Sequence, residues 1–137
     1  MTDAEIVNMI KRHEGGPGPV YRDSVGILTC GYGHALHEGS FVPIEAANAF
    51  FESDFKTVLE NYESLGFDLD PVRRAVIIDM LFNLGITKFM GFKRMISALR
   101  RRDFMTAKNE MLDSRWAKQV GKRATELAAM METGKTQ

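Results

Sequence analysis

At 137 residues, 45% hydrophobic and 26% charged, the chain has the size and composition of one globular domain. A single cysteine, Cys30, excludes an internal disulfide framework, and no stretch reads as a signal peptide or membrane span. Net charge is zero, but residues 1–70 hold twelve acidic and four basic side chains, and residues 71–137 hold six and fourteen. A basic second half can attract an anionic polymer, or the two halves can attract each other.

Thr2-Asp3-Ala4-Glu5 is a capping box ahead of Ile6, Val7, Met9 and Ile10, which predicts an amphipathic helix over about residues 3–13. The run Gly15-Gly16-Pro17-Gly18-Pro19 cannot continue that helix. Glu14 therefore falls at a helix C-terminus, where the dipole disfavours a carboxylate. Val20 to Gly33 has the β-branched and aromatic residues of short strands, with Asp23-Ser24-Val25-Gly26 as a turn between two of them. Gly31-Tyr32-Gly33-His34 is expected to end this small sheet.

Pro43 suits the first turn of a helix running to about Leu65 and closed by Gly66. Asp70-Pro71 is an N-cap with proline at the first position, and Val72 to Leu84 is apolar on most faces, as in a core helix. Gly85 is its expected end. Shorter helices are expected at about 91–101, 103–112, 115–120 and 122–132, with Asp103 and Ser114 as N-caps and Trp116 as an anchor. The nine methionines suit irregular gaps in a core. The layout is α+β: a small β-hairpin lobe (about 15–42) joined by a long helix to a larger helical lobe (about 43–137 with the N-terminal helix). Together they form one domain, and a cleft between lobes is the default ligand site.

Glu14 and Asp23 are two carboxylates that a helix end and a hairpin could present across a groove. Hydrolysis of a glycosidic bond needs one carboxylic acid to protonate the leaving oxygen and one carboxylate to activate water or attack the sugar. Thr29, on the next strand, could position a water. By itself the spacing is weak, because carboxylates near turns are mostly solvated or act as caps.

The wider pattern narrows the choice. Glu14, Asp23 and Thr29, followed by Gly31-Tyr32-Gly33-His34, resemble the catalytic signature of phage-type lysozymes (endolysins; glycoside hydrolase family 24). The likeness continues through Asp79-Met80-Leu81-Phe82-Asn83-Leu84-Gly85, Gly91-Phe92, Ser114-Arg115-Trp116 and Arg123-Ala124. It implies a lysozyme-like fold and a muramidase that cuts the β-1,4 bond between N-acetylmuramic acid and N-acetylglucosamine in peptidoglycan. By resemblance, Glu14 is the general acid, Asp23 the base of an inverting reaction, and Thr29 the residue that orients water. Phe82, Asn83 and Tyr32 fall among substrate contacts. His34 is matched to a histidine paired with an aspartate on the long helix, here Asp54, and Arg123 to an arginine paired with the catalytic glutamate.

No cofactor or metal, no nucleic-acid partner and no membrane insertion are expected. The resemblance implies a monomer kept in the bacterial cytoplasm until a holin-like pore opens, then acting on the wall in the periplasm. Departures are a short segment between His34 and the long helix and no expected terminal helix after 122–132, which bear on substrate range and stability. Three other readings compete. Cys30, His34 and His37 as zinc ligands would make a wall amidase. Arg100-Arg101-Arg102 as a nucleic-acid contact competes with the ordinary preference of helix C-termini for cations. A binding module without catalysis is opposed by the intact acids and threonine.

Overall fold

The computed structural model describes residues 1–137, which fall into two compact bodies, Met1–Ala46 and Ala47–Gln137. The smaller begins with α1 (Asp3–Glu14), whose capping box forms as expected: Thr2 accepts from the Glu5 amide at 3.2 Å, and Glu5 accepts from the Thr2 amide at 2.8 Å. The sheet follows as β1 (Tyr21–Arg22), β2 (Leu28–Cys30) and β3 (His34–Ala35), antiparallel in that order. Tyr21 pairs with Thr29, and Thr29 with Ala35, so Thr29 sits at the centre of the ladder.

The sheet has one strand more than the residues imply. Gly31-Tyr32-Gly33 reverses the chain instead of ending the sheet, and His34–Ala35 returns as β3. The reversal needs positive φ at Gly31 (58°) and Gly33 (77°), which glycine adopts without steric penalty. A two-residue strand is too short to show alternation.

The larger body contains most of α2 (Ile44–Leu65), which starts just after Pro43, then α3 (Pro71–Leu84) and α4 (Ile86–Phe89). It continues with α5 (Lys93–Arg100), α6 (Phe104–Leu112), α7 (Arg115–Val120) and α8 (Lys122–Thr133). The short α4 is not anticipated by the sequence reading: Gly85 both ends α3 and starts it, and its Phe89 is fully buried. The apolar run of α3 is the core helix, with Val76, Ile77 and Met80 inaccessible to solvent. Met95, Met111 and Met131 are equally buried, so four methionines fill the centre, as their flexible side chains allow. α8 packs on α3, α6 and α7.

Arg73 ties three helices together. Its Nε donates to the Met131 carbonyl at 2.6 Å and Nη2 to the Glu132 carbonyl at 2.8 Å, satisfying carbonyls in the last turn of α8. Its guanidinium also lies 3.7 Å above the Phe104 ring of α6. The three consecutive arginines have local partners. Arg100 Nη2 donates to the Leu65 carbonyl at 3.0 Å and Arg102 Nη1 to the Asp68 carbonyl at 2.6 Å, holding the α2–α3 loop. Arg101 Nη1 donates to Ser97 Oγ at 2.6 Å.

Asp70 caps α3 by accepting from the Arg73 amide at 3.1 Å and from its guanidinium at 3.1 Å. Burial raises the Asp70 carboxyl, but those hydrogen bonds and the Arg73 charge outweigh it and hold the group below the usual carboxylate range. A depressed folded-state value stabilises the fold above the unfolded-state pKa of about 3.9 and is lost as pH falls through the lower folded value. Asp70→Ala is therefore expected to lower stability by about 1 kcal/mol at neutral pH in urea titrations. The difference from wild type should shrink as the pH drops below about 4. A pH-independent difference would mean the charge has no part in the cap.

Candidate active site

Glu14, Asp23 and Thr29 all belong to the smaller body, each placed by a different local device. Glu14 is the last residue of α1 and is exposed. Gly15, with φ 80° and ψ 158°, turns the chain out of the helix there. Two contacts dock this end of α1 on the β2–β3 turn. The Lys11 ammonium lies 5.0 Å from the Tyr32 ring centroid, and the Glu14 carboxylate lies against Gly33. Lys11 and Glu14 are three residues apart, so they share one helix face. A β-carbon at Gly33 would come within 2.8 Å of the Glu14 carboxyl carbon, closer than such atoms tolerate. The missing side chain is what lets the carboxylate lie there. No side chain or amide donates a hydrogen bond to it within this body.

Asp23 opens the five-residue loop between β1 and β2. Its amide donates to the Ile27 carbonyl at 2.9 Å, and its carbonyl accepts from Gly26 at 3.0 Å. Gly26 has φ 86°, the left-handed residue that such a hairpin loop requires. Asp23 Oδ1 accepts from the amides of Val25 and Ile27, both at 2.9 Å. One carboxylate oxygen is thus anchored by two backbone donors, and Oδ2 has no such partner.

Thr29 is 4% exposed, the one polar side chain among the buried residues. Its hydroxyl donates to the Ile27 carbonyl at 2.9 Å. With its proton engaged, Oγ1 has only acceptor capacity left. The same Ile27 joins the two residues: its amide anchors Asp23 and its carbonyl anchors Thr29.

The other sequence-derived residues are placed as follows. Tyr32 is 44% exposed beside Gly33. His34 lies on β3 opposite Cys30, and Asp54 is an exposed residue of α2 in the larger body. His37 Nδ1 lies 3.0 Å from the Glu38 carbonyl, and no three His, Cys, Asp or Glu side chains converge as a metal ion would require. In the larger body Phe82 is 38% exposed, with its ring 5.3 Å from that of Phe51. Asn83 Oδ1 accepts from the buried Trp116 Nε1 at 2.8 Å, so only its amide NH₂ remains to donate.

Arg123 forms an ion pair with Asp79 that the sequence reading did not anticipate, Nε donating to Oδ1 at 2.7 Å. The pair borders a recess of about 430 Å³ whose apolar wall includes Phe51, Phe55, Ile78 and Phe82. The signal available in the sequence is that Asp79 is the lone acid in an apolar core helix, which calls for a cation. Which cation answers depends on tertiary packing across 44 positions.

A family model described as Phage lysozyme matches residues 11–132, a span that takes in Glu14, Asp23, Thr29 and Arg123. The chain is similar to "Probable T4-type lysozyme 1" of Dictyostelium discoideum, at 26% identity over 96% of this chain and 95% of the relative. It is also similar to "Probable T4-type lysozyme 2" of the same organism, at 22% identity over the same shares. The chain belongs to the phage lysozyme family.

Proposed function

We propose that this chain is a muramidase that hydrolyses the β-1,4 bond between N-acetylmuramic acid and N-acetylglucosamine with inversion. The observation that carries the reading is the division of labour between two carboxylates. Glu14 lies unbonded against Gly33, and Asp23 is anchored through one oxygen only. Glu14 supplies a proton to the leaving glycosidic oxygen as the bond to the sugar carbon breaks. Asp23 Oδ2 takes a proton from the attacking water. Thr29 Oγ1 accepts the other water hydrogen and so orients the attack. An inverting reaction places the Glu14 and Asp23 carboxyl groups about 6.5–9.5 Å apart around that water.

In this reading Tyr32 of the smaller body is a glycan contact, as are Phe82 and the amide NH₂ of Asn83 in the larger body; aromatic faces suit the C–H faces of amino sugars, and an amide donor suits their oxygens. Resemblance to endolysins supports host-wall lysis by a monomer released through a holin-like pore. The named relatives are from Dictyostelium discoideum, and the bond cleaved would be the same in either setting.

Two variants test the assignment. Glu14→Gln removes the transferable proton with little change in shape. Lysis of purified peptidoglycan is expected to fall by about 10²–10⁴-fold while wall binding is retained. Unchanged lysis would refute the role of Glu14. Gly33→Ala forces a β-carbon into the Glu14 carboxylate and strains a left-handed backbone position. It is expected to lower stability by about 1–2 kcal/mol and turnover by about 100-fold. Wild-type turnover in this variant would show that the Glu14–Gly33 contact is incidental.

A further inference from the structure

The larger body has a concave surface that the proposed chemistry does not use. A cavity of about 750 Å³ between α4, α5, α6 and α7 is lined by Lys88, Lys93, Arg94 and Arg115, together with Glu110 and Asp113. A neighbouring recess of about 310 Å³ shares Lys93, Arg94 and Glu110 and adds Arg101. The two form one groove. Residues 86–123 hold eleven Lys and Arg against three Asp and Glu, so the chain's basic excess is concentrated around it.

Of the five cations lining the groove, only Arg101 is committed, to Asp103 at 3.7 Å and Ser97 at 2.6 Å. Elsewhere in this body Arg73, Arg74, Arg102, Lys108 and Arg123 each pair with a carboxylate. Lys88, Lys93, Arg94 and Arg115 form no ion pair and no side-chain hydrogen bond, although Glu110 and Asp113 line the same cavity. Four unpaired like charges around one concavity repel each other and raise the local potential, a field that an incoming anion relieves.

We infer that this groove binds a phosphodiester wall polymer of the polyol-phosphate type, engaging several phosphates at once. Each guanidinium can take a pair of phosphate oxygens, and each ammonium one phosphate as a point charge. Glu110 and Asp113, in the same lining, can accept hydrogen bonds from the hydroxyl or ammonium groups that a polyol-phosphate carries between its phosphates. Nucleic acid fits less well, because single strands bind through exposed aromatic platforms and Trp116 in this wall is only 4% exposed. The choice of a wall polymer rests on the proposed wall hydrolysis; the binding itself does not require it.

The test uses the full chain and its Lys93→Gln/Arg94→Gln variant, neither residue having a place in the hydrolytic machinery. Binding to poly(glycerol phosphate) is measured by calorimetry across a salt series. Co-sedimentation uses purified walls before and after hydrofluoric acid extraction of phosphodiester polymers. Wild type is expected to bind the polymer, with the double variant about tenfold weaker and its log–log salt slope shallower by about 1.5. Extraction should weaken wall binding of the wild type much more than of the variant. Hydrolysis of soluble glycan oligomers by the variant should match wild type, which also reports that it folds. Equal binding by both proteins, loss of binding only when stem peptides are removed, or tighter binding to single-stranded nucleic acid would each overturn the inference. If polymer binding fails while glycan hydrolysis persists, only this inference falls; if hydrolysis fails while polymer binding persists, only the proposed reaction does.

Discussion

The contact between the Glu14 carboxylate and Gly33 is the constraint on which the candidate site depends. A helix end carries the acid, a tight turn receives it, and the two meet because the turn has no side chain at that point. The same glycine also needs its positive φ to bring β3 back alongside β2. One residue type therefore meets two demands, sheet reversal and room for a carboxylate. Lys11 over Tyr32 reinforces the docking from the preceding helical turn.

The rest of the small body extends this arrangement. Ile27 serves Asp23 through its amide and Thr29 through its carbonyl, so the loop and the central strand cannot shift independently. A carboxylate anchored at one oxygen keeps its orientation while leaving the other available. In the larger body the polar groups emerging from the buried helix α3 are matched in a similar way. Asp79 is answered by Arg123, and Asn83 accepts from the buried Trp116 indole, whose N–H would carry a desolvation penalty if left unpaired.

Much of this architecture is legible in the residues, because helix starts are written locally. Thr2, Asp70, Asp103 and Ser114 all cap the helices they precede. Family membership is equally legible, since the carboxylates, the threonine and the Gly-Tyr-Gly-His run lie within about twenty residues. What escapes the sequence is either too short or too distant. β3 and α4 span two and four residues, about one period of a strand or a helix and too few for a pattern to repeat. The Asp79–Arg123 and Trp116–Asn83 bonds join positions 44 and 33 apart, and only the packed core brings them together. The three arginines at 100–102 illustrate the opposite hazard. Read as a run they resemble a polyanion site, yet they serve loop carbonyls and local side chains, and the unpaired cations lie elsewhere.

Membership of the phage lysozyme family makes a glycoside hydrolase acting on peptidoglycan the coarse outcome, and the roles of Glu14, Asp23 and Thr29 are the finer claim. That claim requires water as the nucleophile, activated by Asp23. The most direct measurement is product analysis on purified peptidoglycan, following the anomer by NMR during the first turnovers. The account predicts new reducing ends at muramic acid, formed first as the α-anomer. Anhydro-muramic ends, which need no second carboxylate, or an initial β-anomer would contradict it.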